Sequence, residues 1–329
     1  MRALLSYEPG GPETLRLEEM PSPAPGVGEL LVRVRACSIN YPDVLIIEDK
    51  YQLRPPRPFA PGSEIAGEIE AVGEGVQGWS AGDRVIAATG FGGLVEKVIV
   101  PAKSAIPLPP ERSFEEGSAL LLTYATSIHA LLDRGKLKAG QTLLVLGAAG
   151  GVGIAAVEIG KAVGARVVAA ASSGEKAAAA RNAGADEAVV YPTGDIDRKA
   201  LAQIFKDAVG PAGADAIYDP VGGDYSEAAL RSIAWEGRFL VVGFPAGIAK
   251  LPLNLTLLKS CDVCGVFWGA FAARDPKANA AHVDQLFRWW AEGKIAPKIS
   301  ATYELERAGE AIAALRDRKA IGKLVVTID

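Results

Sequence analysis

The run from residue 142 to 172, TLLVLGAAGGVGIAAVEIGKAVGARVVAAAS, constrains the fold more than any other part of the sequence. An apolar segment of strand length leads into a glycine-rich turn, a segment of helix length follows, and a second apolar strand comes next. In this context the pattern G-x-G-x-x-G/A predicts a turn that binds the diphosphate of a dinucleotide. Ala148 replaces the first glycine, Gly150 would let the backbone approach the pyrophosphate, and Gly153 would let the helix pack on the strand. The alternative is a turn whose glycines serve packing alone.

Apolar segments of strand length keep alternating with segments of helix length as far as residue 244. Because these strands show no period-two pattern, we expect them to be covered on both faces, as in a parallel sheet built of βαβ units. The prediction is an α/β domain with a doubly wound, Rossmann-type parallel sheet. The predicted strands cover 142–148, 166–172, 187–191, 215–221 and 238–244, with an edge strand at 262–268, and the predicted helices begin near 152 and 174 and cover 197–209 and 225–234.

The chain on either side of this region has a different pattern. In ELLVRVRA (29–36) and EIAGEIEAVGEG (64–75), apolar and charged residues alternate, which is typical of half-buried antiparallel strands. Towards the C-terminus, two amphipathic helices at 282–294 and 306–318 precede a closing strand, GKLVVTID. A terminal strand needs a sheet partner, so we expect the tail to rejoin the N-terminal β-rich part. The predicted domains are 1–121 together with 266–329, and 122–265.

The end of the second strand predicts which nicotinamide cofactor is bound. Sites for NAD place Asp or Glu there to accept a hydrogen bond from the ribose 2′-hydroxyl. Here the strand ends in three alanines, 169–171, followed by Ser172, Ser173 and Lys176. Hydroxyls and an ammonium suit a 2′-phosphate, which a carboxylate would repel, so we predict NADPH. Glu175 in the turn counts against this prediction, and a merely solvated Lys176 is the alternative.

Composition argues against several other classes of protein. Lys plus Arg number 35 and Asp plus Glu number 39, so there is no basic excess for binding nucleic acid as a main task. Three cysteines in 329 residues cannot form a disulfide framework, which favours a reducing compartment. The uncharged segment 139–157 is not expected to cross a membrane, because glycines crowd its middle. No targeting signal is recognisable, and we expect a cytoplasmic protein.

Several segments of the chain resemble those of one family. They are GAAGGVGIAAVEIGKAVGARVVAAASSGEK, ACSINYPDVLIIEDKYQ (36–52), PFAPGSEIAGEIEAVGEGV (58–76) and VVGFPAG (241–247). The resemblance is to the zinc-free quinone oxidoreductase, or zeta-crystallin-like, branch of the medium-chain dehydrogenase/reductase superfamily, and it spans nearly the whole chain. It implies that the β-rich part is a GroES-like catalytic domain into which the Rossmann domain is inserted.

The resemblance also allows the metal question to be argued position by position. Zinc-dependent members of the superfamily carry a cysteine where Asn40 stands and a histidine where Ser63 stands, while the companion acid, Glu64, is kept. A catalytic zinc needs about three protein ligands of the Cys, His or carboxylate type. The segment 77–110 contains no cysteine for a structural zinc lobe. We therefore expect no metal site, and we interpret Cys261 and Cys264 as small buried residues.

The resemblance implies roles for individual residues around a bound nucleotide. Asn40 and Thr126 would lie near the nicotinamide, and Gly243 and Phe244 would line the loop beneath it. Tyr191 would flank the phosphate on the adenosine ribose.

Two aromatic residues, Phe267 and Trp268, would close the cleft that holds cofactor and substrate. The candidate catalytic residues are Asn40, Tyr41 and Tyr51; the tyrosines are candidate proton donors, with ordinary packing as the alternative. The candidate cofactor-binding residues are Thr126, Ala149, Gly150, Gly151, Val152, Gly153, Ser172, Ser173, Lys176, Tyr191, Gly243, Phe244, Phe267 and Trp268.

The leading hypothesis is an NADPH-dependent oxidoreductase that reduces quinones or α,β-unsaturated carbonyl compounds by hydride transfer without zinc. No Ser/His/Asp set or carboxylate pair is recognisable, which fits a small-molecule acceptor whose reduced form is already stabilised. The alternatives are an enoyl-thioester (acyl-CoA) reductase of the same superfamily, a non-catalytic NADPH- or RNA-binding crystallin-like protein, and a zinc alcohol dehydrogenase. The apolar segment 258–271 predicts a homodimer joined through the edge strand, which the resemblance also implies. No nucleic-acid or membrane partner is expected.

Overall fold

The computed structural model of the protein describes residues 1–194 and 196–329. Its strands are β1 (Arg2–Leu5), β2 (Arg16–Glu19), β3 (Glu29–Ile39), β4 (Glu64–Val72), β5 (Arg84–Ala88), β6 (Lys97–Pro101), β7 (Ile106–Pro107), β8 (Thr142–Leu146), β9 (Arg166–Ala171), β10 (Glu187–Val190), β11 (Ala214–Asp219), β12 (Ile233–Val241), β13 (Asp262–Gly265), β14 (Ile299–Glu304) and β15 (Lys323–Thr327). Its α-helices are α1 (Tyr41–Ile47), α2 (Phe114–Ser118), α3 (Thr126–Ile128), α4 (Gly151–Val163), α5 (Gly174–Asn182), α6 (Arg198–Val209), α7 (Gly223–Leu230), α8 (Asn254–Lys259), α9 (Trp268–Arg274), α10 (Pro276–Ala291) and α11 (Ala308–Arg316). Segments with π-helical hydrogen bonding flank α3 at Leu121–Ala125 and His129–Arg134.

The described chain forms two compact units, one made of Met1–Leu122 with Pro297–Asp329 and the other of Thr123–Ala296. The sequence prediction placed residues 266–296 with the β-rich domain, whereas the structure groups them with the second unit. Two contacts explain the difference. The Phe271 ring stacks on His129 with 4.0 Å between ring centroids, and the amide of Ala296 donates to Glu158 Oε2 at 3.0 Å.

The first unit is built around a seven-stranded sheet in the order β14-β15-β3-β4-β5-β7, with β6 also paired to β3. The apolar and charged residues that alternate in β3 point to opposite faces of the sheet: Val32 and Val34 are fully buried, while Arg33 between them is exposed. The predicted closing strand is confirmed as β15, which pairs antiparallel with β3 and sets Leu324 opposite Ile39. A strand from the end of the sequence therefore joins the sheet formed by strands of its first third.

The second unit contains a six-stranded parallel sheet in the order β10-β9-β8-β11-β12-β13. Its central strand is covered on both faces, since all four residues from Leu143 to Leu146 are fully buried. The strand order reverses between β8 and β11, and in sheets of this kind ligands bind in the crevice outside the carboxyl ends of the strands at that reversal. The predicted doubly wound sheet is confirmed, and its glycine-rich turn lies at the end of β8.

Several predicted elements have different bounds in the structure. The strand predicted over 238–244 is β12, Ile233–Val241, and the helix predicted over 225–234 is α7, Gly223–Leu230, so residues 233 and 234 belong to the strand. The edge strand predicted over 262–268 ends at Gly265, because its pairing partner β12 ends opposite, at Val241. Phe267 and Trp268 therefore lie outside the strand, at the start of α9. The helix predicted over 282–294 begins earlier as α10, where the side chain of Asp275 accepts a hydrogen bond from Ala278 N at 3.0 Å.

Within residues 1–194 and 196–329, the structure contains no helix with the length and apolar character that a membrane span needs.

Candidate nucleotide-binding and active site

The turn between β8 and α4 leads into a helix N-terminus, a feature that can bind an anion. Gly147 takes a positive φ of 56°, its carbonyl accepts the amide of Gly150 at 3.0 Å, and Gly150 caps the helix without a side-chain hydrogen bond. The first amides of an α-helix have no acceptor within the helix, and they carry the positive end of its dipole. Ala149 completes this turn, and Gly151 and Val152 are the first two residues of α4.

The two later glycines of the turn serve different purposes. A Cβ added at Gly153 would lie 2.2 Å from the carbonyl oxygen of Gly147, so this position must stay bare for the helix to pack on the strand. A Cβ added at Gly150 would meet no described protein atom closer than that same oxygen, at 3.5 Å. Its φ of −77° suits any residue. The protein itself therefore does not require glycine at 150, and the bare position leaves an open cradle beside the start of α4 that would suit a diphosphate.

The carboxyl end of β9 presents hydroxyl groups and a lysine rather than an acid. Ala171 ends the strand, Ser172 follows, and Ser173 caps α5 by accepting the amide of Lys176 at 3.2 Å. The capping bond uses a lone pair of the Ser173 hydroxyl and leaves its O–H able to donate. Glu175 is exposed on the first turn of α5. These groups would be able to donate to a 2′-phosphate.

Tyr191 follows β10 and belongs largely to the core. Its amide donates to the carbonyl of Ala171 at 2.9 Å, which places its backbone beside the end of β9. Its side chain is 6% exposed, and its ring packs against Tyr225 and Phe205 with centroid separations of 4.9 and 6.4 Å. The ring therefore contributes chiefly to packing, and its backbone lies where the ribose phosphate is expected.

Three further candidate cofactor-binding residues lie in the second unit, two in the loop after β12 and one at the start of α3. The loop with Gly243 and Phe244 follows β12, and the Phe244 side chain is 47% exposed. Thr126 begins α3, directly before a buried Ser127 whose hydroxyl donates to the carbonyl of Val152 at 3.1 Å. This bond ties the segment carrying Thr126 to the first turn of α4.

The two aromatic candidates lie beyond the sheet edge. Phe267 is 59% exposed, and the indole N–H of Trp268 donates to Asn279 Oδ1 at 2.8 Å. Both residues begin or precede α9, at the carboxyl end of β13.

A buried polar cluster in the first unit surrounds the candidate catalytic residue Asn40. Asn40 caps α1, and its backbone N–H donates to Asp43 Oδ2 at 2.7 Å, as in a capping box. The other carboxylate oxygen of Asp43 accepts the amide of Gly62 at 3.0 Å. Burial raises the pKa of Asp43 to about 6, although these hydrogen bonds oppose the shift.

Lys323 brings a buried positive charge into this cluster. Its Nζ lies 2.5 Å from Asn40 Oδ1 and 3.6 Å from Glu64 Oε2, and the three side chains are at most 5% exposed. Burial raises the pKa of Glu64, an effect that Lys323 opposes, and burial lowers the pKa of Lys323, an effect that Glu64 opposes. Lys323 and Glu64 therefore compensate each other's charge inside the unit.

These side chains do not suit a zinc ion. Asn40 Nδ2 lies 3.4 Å from both Ser63 Oγ and Glu64 Oε2, so the residues at the three positions discussed for zinc meet as an amide, a hydroxyl and a carboxylate paired with an ammonium. An amide, a hydroxyl and an already paired carboxylate are poor substitutes for thiolate and imidazole ligands. In the part of the chain that the structure describes, no three His, Cys, Asp or Glu side chains are grouped to hold a metal. Cys261 and Cys264 are free and buried.

The two candidate tyrosines flank α1. Tyr41 is its first residue, Tyr51 follows its end, and both side chains are partly buried against the core of the first unit. Burial raises the pKa of each phenol. Each neutral hydroxyl can donate a hydrogen bond.

Two members of the buried cluster were missed in the sequence. Asp43 lies three residues after the helix-capping Asn40, a spacing that marks a capping box. Lys323 follows Gly322 in an otherwise apolar closing strand, where a lysine needs a partner if it is buried. The pairing of β15 with β3 supplies that partner.

Comparison with known proteins agrees with this architecture. The family described as "Alcohol dehydrogenase GroES-like domain" matches residues 26–110, and the family described as "Zinc-binding dehydrogenase" matches residues 151–284. A "Quinone oxidoreductase-like protein 2 homolog" of Nematostella vectensis is 35% identical over 329 residues, covering 99% of this chain and 88% of the relative.

Two solved structures are similar over the full length. Mycobacterial Rv1454c complexed with NADPH has a TM-score of 0.92 at 31% identity, with 99% of this chain and 100% of that chain covered. The quinone oxidoreductase of Escherichia coli complexed with NADPH has a TM-score of 0.91 at 28% identity, with the same coverage of 99% and 100%. These matches confirm a Rossmann-type sheet inserted in a GroES-like β-rich domain. The chain belongs to the quinone oxidoreductase, zeta-crystallin-like branch of the medium-chain dehydrogenase/reductase superfamily of oxidoreductases.

Proposed function

We propose that the protein is an NADPH-dependent reductase of quinones or α,β-unsaturated carbonyl compounds that transfers hydride without zinc. The observation that carries the proposal is the open cradle at Gly150, followed at the end of β9 by hydroxyls and Lys176 in place of an acid. The cradle suits a diphosphate, and the strand end suits a 2′-phosphate. Similarity to two structures complexed with NADPH supports the same cofactor.

NADPH would supply the hydride, and the protein would supply binding and orientation. The amides at the start of α4 would bind the diphosphate, while Ser172, Ser173 and Lys176 would bind the 2′-phosphate. The loop carrying Gly243 and Phe244 would support the nicotinamide end of the cofactor. Each of these groups is part of the second unit.

The side chains of the first unit favour an acceptor that needs little help with charge. Reduction of a simple ketone develops an alkoxide, which requires a Lewis acid or a strong donor. Asn40, Ser63 and Glu64 do not fit a zinc ion, and the donors at hand are the neutral phenols of Tyr41 and Tyr51. Quinones and enones delocalise the incoming charge, so one phenol or water suffices to protonate the product.

A homodimer joined through β13 is part of the proposal. Val263 on this edge strand is 42% exposed, and Leu257 and Leu258 just before it are 78% and 62% exposed. An edge strand with open backbone groups and exposed apolar neighbours invites pairing with a second copy.

The proposal is tested by following NADPH absorbance with 1,4-benzoquinone, 9,10-phenanthrenequinone, simple enones and enoyl-CoA esters. We expect turnover with quinones or enones at a rate that is unchanged after chelation and dialysis, with no stoichiometric zinc by elemental analysis. Turnover restricted to the enoyl-CoA esters would favour a thioester reductase instead. Tight NADPH binding with no turnover of any acceptor, or activity that depends on added zinc, would overturn the proposal.

A further inference from the structure

Asp219 ends β11 at the point where the strand order of the parallel sheet reverses. Its side chain is 2% exposed, and its Oδ1 accepts the amides of Val221 and Gly222 at 2.8 and 2.9 Å. Its Oδ2 accepts the hydroxyl of Ser226, on α7. One carboxylate thus organises the turn from β11 into α7.

The backbone of the same residue holds the loop that follows β12. The carbonyl oxygen of Asp219 accepts the amides of Val242 and Gly243 at 2.9 and 3.3 Å. Gly243 begins the segment assigned above to the nicotinamide end of the cofactor. Asp219 therefore bonds the turn through its side chain and the loop through its main chain.

The turn and the loop are joined at two further points. The amide of Gly223 donates to the carbonyl of Gly247 at 2.7 Å, and the amide of Ala246 donates to the carbonyl of Val221 at 2.9 Å. A Cβ added at Gly222, where φ is +78°, would lie 2.4 Å from the oxygen of Gly247. The two segments approach so closely that a change in one must move the other.

The turn also touches the phosphate-binding side of the crevice. A Cβ added at Gly147 would lie 2.9 Å from Cγ2 of Val221, so the turn after β11 packs directly on the turn after β8. The carboxylate of Asp219 accepts two amides and one hydroxyl, so its hydrogen bonds are made within its own turn and α7.

We propose that Asp219 is a positioning residue, whose carboxylate sets the Gly243–Gly247 loop so that the nicotinamide end of NADPH is held in register with the diphosphate. The inference rests on the proposed cofactor. It assigns Asp219 no contact with substrate. Its consequence is selective: Asp219 should matter for the nicotinamide half of the cofactor and not for the adenosine half.

The experiment measures the binding of two nucleotides by calorimetry: NADPH, and 2′-phospho-ADP-ribose, which lacks the nicotinamide. In Asp219→Ala the amides of Val221 and Gly222 lose their acceptor, and we expect the Kd of NADPH to rise by about tenfold or more while the Kd of the fragment stays within about twofold. In Asp219→Asn the Oδ1 acceptor is kept, so affinity for both nucleotides should return close to the wild-type values. Circular dichroism checks that each variant is folded.

The outcomes separate this inference from the proposed function. If the wild-type protein binds neither nucleotide, the proposed cofactor is wrong. If Asp219→Ala weakens the binding of both nucleotides equally, or of neither, the positioning role is wrong although the proposed cofactor is still supported. Should the alanine variant fail to fold, Asp219→Glu, which keeps the charge but displaces it from the turn amides, must show the same selective loss of NADPH affinity for the inference to hold.

Discussion

The ammonium of Lys323 lies 2.5 Å from Oδ1 of Asn40, and this contact determines how the Asn40 amide is oriented. An ammonium group only donates, so it must face the carbonyl oxygen of the amide. The Nδ2 of Asn40 then faces acceptors, among them the carbonyl of Ser38 at 3.3 Å. Both ends of the amide are committed inside the cluster, and only 5% of the residue is exposed, so we propose that Asn40 shapes the site and does not donate to substrate.

The first prediction concerns the charge of Lys323. In Lys323→Met, Glu64 keeps its burial but loses its counter-ion, and breaking such a pair costs about 3–5 kcal/mol. We expect urea unfolding near neutral pH to show a loss of this order. Adding Glu64→Gln to the methionine variant should recover part of it, because the unpaired charge is then removed. A methionine variant as stable as the wild type would show that the pair contributes nothing.

The second prediction separates the two glycines of the phosphate-binding turn. In Gly150→Ala the added methyl group fits the protein but occupies the cradle, so NADPH affinity should fall about tenfold or more with an unchanged melting temperature. In Gly153→Ala the methyl group collides with the backbone of Gly147, and we expect a loss of roughly 1–3 kcal/mol in stability. Calorimetry with NADPH and thermal melts measure both effects. Equal melting temperatures for the two variants would contradict the assignment.

The parallel sheet was predictable because the cores of its strands, such as 143–146 in β8 and 167–171 in β9, are apolar and alternate with helix-length stretches. The bounds of β8 and β9 differ from the prediction by one or two residues at their carboxyl ends, where glycine or serine turns begin. The edge of the sheet was less predictable. Whether Phe267 and Trp268 extend β13 depends on where β12 stops, at Val241, and this is a property of the neighbouring strand and not of the local sequence.

The residues of the candidate site also differ in how far the sequence could predict them. Gly150, Gly153 and the acid-free end of β9 are consecutive along one βαβ unit, so local pattern and spacing located them. The partners of Asn40 could not be found in this way. Lys323 reaches Asn40 only because the last strand of the chain pairs with β3, and no local pattern reports that pairing.

The third prediction tests which cofactor is preferred. Lys176→Ala removes a cation from the end of β9, and we expect the Kd of NADPH to rise about tenfold or more while the weaker affinity for NADH stays unchanged. The matched control is Glu175→Gln on the same helical turn. This variant removes a negative charge, so the Kd of NADPH should fall slightly. If Lys176→Ala lowered the affinity for NADPH and for NADH by the same factor, a role of Lys176 at the 2′-phosphate would be ruled out.

The fourth prediction tests the homodimer. Val263→Lys places a charge on the exposed face of β13, and we expect gel filtration to shift from the mass of two chains to that of one. Val27→Lys, at an exposed apolar residue of the first unit, is the control and should leave the elution unchanged. Elution of the wild-type protein as a single chain would disprove the dimer.

The last prediction concerns a buried carboxylate on α4. Glu158 Oε2 accepts the hydroxyl of Tyr124 at 2.7 Å and the amide of Ala296 at 3.0 Å. Burial nevertheless raises the pKa of Glu158 to about 7, from a usual 4.5, so the folded state binds this proton more tightly than the unfolded state.

The contribution of Glu158 to stability is therefore complete below about pH 4.5 and is lost as the pH rises through 7, by roughly 3 kcal/mol. In Glu158→Gln the amide oxygen can accept both hydrogen bonds, and the ionisation is gone. We expect the variant to match the wild type in urea unfolding at about pH 5 and to be more stable at about pH 8.5. Because the other carboxylates titrate in both proteins, the difference between the two curves isolates Glu158. A glutamine variant that is less stable than the wild type at the higher pH would mean that the carboxylate is held ionised and favourable in the folded protein.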